Sequence, residues 1–232
     1  YVRKHIANVK YEDLVITTSL LPPKALRDWI SATLDEDFLR KSGALHETDF
    51  DRKLRRLHQF EEAILTEIAF PPCDSSSKAT APLLLTLSPG YSARSKGNGA
   101  LDPSFPTPKQ WARSNFRLRI AGLEAACAKV SKVDGVTFTQ GIVLSETEPN
   151  YFTRGPGPLE VSNLRITVSD ANADPFWAWH QEFVVNGNHG PEFERSGSLA
   201  FLEPDVVKKF VQVNFNGVGF IRCTPEIGSA HA

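Results

Sequence analysis

The stretch FWAWHQEFVVNGNHGPEFERSGSLAF, Phe176 to Phe201, gathers the side chains of this chain best suited to chemistry. His180, Glu182, His189, Glu192 and Glu194 are of the types that bind zinc or a similar ion. Trp177 and Trp179 offer flat, amphipathic rings on which a carbohydrate could stack. Spacing argues against the metal. His180 and Glu182 are two residues apart and would leave a helix on different sides, and His189 lies in a Gly/Asn-rich turn. No nucleophile elbow, phosphate-binding glycine loop, paired-cysteine motif or HExxH occurs elsewhere in the chain. The expectation is a protein without catalytic residues, metal or cofactor.

The elements that position these residues come from a chain of 232 residues with a formal charge of −1. That charge gives no reason to expect nucleic-acid or anionic-membrane partners. No apolar run reaches the roughly 18–20 residues of a membrane-spanning helix. Arg52-Lys53 and Arg55-Arg56 stand beside Asp49 and Asp51 and read as a solvated turn. Cys73, Cys127 and Cys223 are far apart, without metal-ligand spacing, and read as small buried thiols of a reducing compartment. His5, His46, His58 and His231 are isolated and read as surface residues. The chain starts at Tyr1, lacks methionine and shows no signal-peptide pattern, so a preceding segment, processing or a fragment is expected.

The same stretch is half of an internal repeat. YEDLVITT (Tyr11–Thr18) lies over VSNLRITV (Val161–Val168) at an offset of 150, and the offset carries ALRDWI onto PFWAWH, with Trp29 on Trp179. RKSGALHETD then matches ERSGSLAFLE, with Gly43 on Gly197 and Leu45 on Leu199. Phe60 falls on Phe215, Ala63 on Val218, and Pro71 and Pro225 close the copies. Searching for such periods first matters because a repeat fixes the architecture.

Each copy reads as strand, short helix, strand, strand. Leu164, Ile166 and Val168 alternate with polar neighbours as in a half-buried strand. Asp174-Pro175 gives a helix N-cap followed by proline in the first turn, and Phe176, Trp179 and Phe183 make one apolar face. Leu26, Trp29, Ile30 and Thr33 do the same after Pro22-Pro23. Val211, Val213 and Phe215 alternate along the last strand, where Asn216, Gly217 and Gly219 suggest a bulge or close backbone approach. APLLLTLS, NFRLRIAGLE and VDGVTFTQGIVL read as further strands, and the Gly/Pro/Ser-rich Ser92–Ser114 as linker. The expected division is a first repeat at 1–95, a linker at 96–114 and a second repeat at 115–232, mainly β with one short helix per repeat.

From NFRLRIAGLE onward the order of features resembles the tail tube proteins of contractile phage tails and related injection systems. The residues that carry it are Phe116–Glu124, Lys132–Gly135, Gly155-Pro156-Gly157, Leu164–Val168, Phe176–Trp179, Arg195–Leu202 and Asn214–Pro225. The resemblance covers about Asn115 to Pro225, and its later part recurs over Tyr1 to Ser92. It departs from the pattern where the first copy lacks the opening strands, where NGNHGPEF lengthens a turn, and in being a tandem pair.

The resemblance implies tandem β-sandwich or barrel domains that assemble laterally into rings and stack into a hollow tube. It implies the chain itself as partner, three chains closing a pseudo-sixfold ring, with sheath or baseplate proteins alongside, in a virion tail or a tail-like particle. A hub or cap at the end of such a tube, and a β-sandwich carbohydrate-binding module using Trp177 or Trp111, are the alternatives. Within this reading Trp29 and Trp179 pack, Gly43 and Gly197 shape turns, and Tyr151, Phe152, Trp177 and Trp111 face neighbouring subunits. Tyr151 and Phe152 are the tip of a hairpin over Glu146 to Pro158.

Overall fold

The structure, a computed structural model, describes residues 11–100, 110–148 and 151–225, side chains at 146–148 and 151–152 left aside. It is mainly β, in antiparallel sheets. The first half holds β1 (Leu14–Thr18), α1 (Lys24–Leu34), β2 (Lys41–Thr48), β3 (Leu54–Phe70), β4 (Cys73–Asp74), β5 (Leu83–Ser88) and β6 (Tyr91–Lys96). Then follow β7 (Phe116–Ile120), α2 (Glu124–Cys127), β8 (Val130–Val133), β9 (Val136–Glu148) and β10 (Tyr151–Val161). The chain ends with β11 (Ile166–Val168), α3 (Asp174–His180), β12 (Arg195–Leu202) and β13 (Lys209–Val218). Among the described residues no helix is long and apolar enough to cross a membrane.

The chain divides into two compact units. One takes the chain up to Pro71, Pro82–Gln110 and Val136–Asn163; the other takes Pro72–Ala81, Trp111–Gly135 and the chain from Leu164 on. These units do not follow the sequence boundaries at residues 95 and 115, and strand pairing is the reason. Phe70 pairs with Val136 and Glu67 with Thr139, which draws the β9–β10 hairpin into the first unit. Cys73 pairs with Val133, which draws the segment after Pro71 into the second.

In the first unit the sheet runs β1-β5-β3-β9-β10, with β2 and β6 also on β3. Leu83, Leu85 and Leu87 of β5 turn one way and are almost wholly buried, the alternation of a strand with one covered face. Each such leucine contributes about 1.5–3 kcal/mol by leaving water. Helix α1 touches β3; its Trp29, Ile30 and Thr33 are buried, and the Trp29 indole donates to the Leu39 carbonyl at 2.9 Å. In the second unit β12 lies between β13 and β7, and β8 between β11 and β4. Leu199, Ala200, Phe201 and Leu202 are buried there with Phe176 and Trp179 of α3.

The β2–β3 and β12–β13 hairpins are built alike. Lys41 pairs with Ala63, Gly43 with Phe60, Leu45 with His58, Glu47 with Arg56 and Thr48 with Leu54. In the other hairpin Arg195 pairs with Val218, Gly197 with Phe215, Leu199 with Val213, Phe201 with Val211 and Leu202 with Lys209. Position for position these are the residues the repeat equates, and the two register shifts fall at the same places. At the first shift the extra residue is left-handed in both copies: Glu62 at φ 50° and Gly217 at φ 66°. A bulge with its left-handed residue in one place gives both hairpins the same bend.

Several expectations need correction. Gly43 and Gly197 do not shape turns; both lie inside strands, where their missing side chains allow close approach. The Phe60 ring covers Gly43, and a Cβ on Gly197 would meet the Arg119 carbonyl oxygen of β7 at 2.6 Å. Trp111 does not face outward. It is buried, edge-on to Phe201 at 5.2 Å, and donates to the Asn115 carbonyl at 2.8 Å. The expected linker begins inside β6, whose Ser92 pairs with Phe60, while residues 101–109 lie outside the described residues. His58 is buried, with a ring nitrogen 2.6 Å from Ser92 Oγ. Gly155-Pro156-Gly157, by contrast, lies in a hairpin as expected, within β10 at a register shift on an edge strand, where proline is tolerated.

Candidate functional site

The candidate site is a cavity of about 380 Å³ in the second unit, in the stretch that looked most reactive in sequence. Its floor is α3. Ala173 precedes the helix, Pro175 sits in its first turn, and the helix passes into a single π-turn over Gln181–Val185. Phe176 and Trp179 point inward; Trp177 is 40% exposed. One wall is the short 3₁₀ turn Pro191–Phe193, and the other is the start of β12.

Arg195 and Trp179 define the interior. The Arg195 guanidinium stands over the Trp179 ring, 5.0 Å from its centroid, and its Nη1 donates to the Ala121 carbonyl at 2.6 Å. Among the described residues two donors here are buried without a partner: Trp179 Nε1 and Arg195 Nε. A buried N–H with no acceptor costs about 1–3 kcal/mol. Glu182, Glu192 and Glu194 line the same space. Glu182 accepts from Asn186 Nδ2 at 3.1 Å and from Asn188 Nδ2, which ties the NGN insertion to the helix end.

The histidines take part in packing. The His180 ring meets Trp177 at 5.8 Å and Phe220 at 5.3 Å, both edge-on, and His189 meets Phe183 at 6.5 Å. Among the described residues no three His, Cys, Asp or Glu side chains come together as a metal site.

Compared with known proteins, the chain matches no family model, no curated protein and no solved structure.

The three thiols, Asp49 and Asp74 are not among the residues that line the cavity. Burial pushes the Cys73 thiol up to about 12, and raises Cys127 and Cys223 as well. Asp49 is held low first by the Lys53 backbone N–H, and Asp74 by the Ser76 hydroxyl. Both close tight turns: Asp49 also takes the Arg55 guanidinium at 2.6 Å, and Asp74 the Ser76 Oγ at 2.6 Å.

Of the residues singled out from sequence, Trp179 lines the cavity, Trp29 holds the equivalent place in the first unit, and Trp177 stands at the surface. The side chains of Tyr151 and Phe152 lie outside the described residues. In sequence Phe183 reads as part of the helix's apolar face and Arg195 as the head of a strand, and neither stands out as lining a cavity. Arg195 stands opposite Lys41 in the repeat, an aligned pair of cations that the hairpin registers reproduce.

Proposed function

We propose that the chain is a non-enzymatic structural protein that assembles with itself into rings of a hollow, phage-tail-like tube, or caps such a tube, as tandem tube-like domains. The observation that carries this reading is the pair of hairpins with one register, one bulge and one left-handed residue. A building block used twice in one chain suits a closed ring in which half as many chains make the full set of blocks. The sequence order that resembles tail tube proteins runs through both of these hairpins. Open edges support it too: β10 ends the first unit's sheet, and Val143, Leu144 and Val161 of the β9–β10 hairpin are exposed apolar residues.

Electron microscopy of the purified chain tests the reading, together with sedimentation velocity. Rings of three chains with pseudo-sixfold projections, stacked or single, are the expected result. A strict monomer throughout the concentration series, or a ring of six whole chains, would overturn the trimeric reading, and the monomer would overturn assembly altogether. A carbohydrate-binding alternative loses Trp111, which is buried; of its two tryptophans Trp177 is the exposed one.

A further inference from the structure

The cavity has a counterpart in the first unit, and the two differ in one respect that points to a partner. In the first unit Thr33, Phe38, Leu39, Arg40 and Ile64 surround the gap between α1 and β2. The repeat sets these on Phe183, Glu192, Phe193, Glu194 and Gly219 of the second unit. In the first unit the gap is only about 10 Å³, because Gln140 and Pro156 of the β9–β10 hairpin lie over it. Arg40 donates to the Arg154 carbonyl, and Arg154 reaches Ser88 Oγ at 2.6 Å and the Pro89 carbonyl. A hairpin strand thus closes the site. In the second unit the same place is open to about 380 Å³, and among the described residues no hairpin covers it.

Which strand would fit is legible from the repeat. Carrying the ungapped offset of 150 back from Tyr11 sets Tyr1 on Tyr151, Lys4 on Arg154, Ile6 on Pro156 and Val9 on Leu159. Tyr1–Lys10 lie outside the described residues, so only their sequence enters here. That sequence is basic, with Arg3, Lys4, His5 and Lys10 and no acid. The open site is acidic: Glu182, Glu192 and Glu194 against Arg195. Where the first unit has Arg40, the second has Glu194, a reversal of charge that suits a basic partner.

We propose that this cavity is the docking socket for the basic segment Tyr1–Lys10 of a second copy of the chain, laid over it as β10 is laid over the first unit's site. The inference rests on the self-assembly reading and names the contact through which one copy engages the next. Such a contact is heterologous, socket to tail, and propagates to a ring or an open chain of copies. Its attraction is electrostatic and weakens with salt.

Zero-length carbodiimide coupling on a mixture of ¹⁴N- and ¹⁵N-labelled full-length chains tests it. The expected product joins Lys4 of one isotope to Glu182, Glu192 or Glu194 of the other. In sedimentation, Lys4→Glu is expected to weaken self-association at least tenfold, and Glu194→Lys in the same chain to restore it. Glu194 is exposed, so the variant's fold is checked by circular dichroism against the parent. If rings form but Lys4→Glu leaves them unchanged and no mixed-isotope product appears, the socket is wrong and the tube reading stands. If mixed-isotope coupling occurs but only open chains of copies form, the socket stands and the closed tube falls. A monomer without the crosslink overturns both.

Discussion

Gly197 lies so close to Arg119 that a Cβ on it would sit 2.6 Å from the Arg119 carbonyl oxygen, whereas Gly43, its counterpart, faces the Phe60 ring. A ring tip can swing; a paired backbone cannot. Gly197→Ala is therefore expected to push β7 from β12 and cost about 1–3 kcal/mol, the range of overpacking. Gly43→Ala should cost clearly less. Urea unfolding of the two variants checks this, and equal losses would show that the two glycines do the same job.

The left-handed bulge residue predicts an asymmetry between the copies. Glu62 holds φ 50° with a side chain, and Gly217 holds φ 66° without one. A side chain in this region costs roughly 1–2 kcal/mol, partly offset by the backbone entropy that glycine loses. Gly217→Ala should destabilise by about 1 kcal/mol, while Glu62→Gly should be neutral to slightly stabilising, since its exposed pairing with Arg40 is weak. Thermal midpoints of both variants decide it; a loss on Glu62→Gly as large as that on Gly217→Ala would contradict the argument.

Phe183 and Gly219 form a large–small pair where the first unit has Thr33 and Ile64. A Cβ on Gly219 would meet the Phe183 ring at 2.6 Å. Gly219→Ile alone is expected to lose about 1–3 kcal/mol by overpacking. Adding Phe183→Thr should return part of that loss, with a coupling energy of about 1 kcal/mol in a double-mutant cycle. Simple additivity would mean that the residues do not share space in solution.

Cys73 makes stability fall at high pH. Its thiol, raised to about 12 by burial, is above the usual cysteine value near 8.5, so the folded state holds the proton longer than the unfolded chain does. The contribution is full below the unfolded value and is lost as pH rises from about 9 towards 12, by at most about 1.4 kcal/mol per pH unit. Comparing urea midpoints of the parent and Cys73→Ala at pH 8 and pH 11 should show the gap between them narrowing. A constant gap would place the thiol in water. Native Cys73 should also stay unmodified by a thiol reagent at pH 8, with Cys223, only partly covered, reacting first.

The hairpins were legible because their signals are local. Period-2 alternation, the Ser-Gly pair and the closing proline lie within a few residues of one another, and both Trp29 and Trp179 fall on a helical face. The pairing of β9 with β3 was not legible, because Phe70 and Val136 meet across a sequence separation that no short-range pattern reports. Trp111 was misread because its Gly/Pro-rich neighbours signal a loop, while burial depends on Phe201 far along the chain. The cavity was half legible. Its glutamates stood out, but the space itself depends on which distant strand covers each unit: Gln140 and Pro156 line the first unit's gap and, among the described residues, have no counterpart at the second.

The interleaving of the two units sets a timetable for synthesis. The inner half of β3, with Ile68 and Phe70, stays without its β9 neighbour until residues 136–139 have left the ribosome, and β10 follows later still. A nascent chain that has emerged only to residue 95 thus carries an unsaturated, apolar strand edge, the kind of surface chaperones hold. Translation pauses or cleavage between residues 95 and 136 would leave that edge stranded, so the chain's first half is not an independent folding piece even though it carries a complete copy of the β2–β3 hairpin.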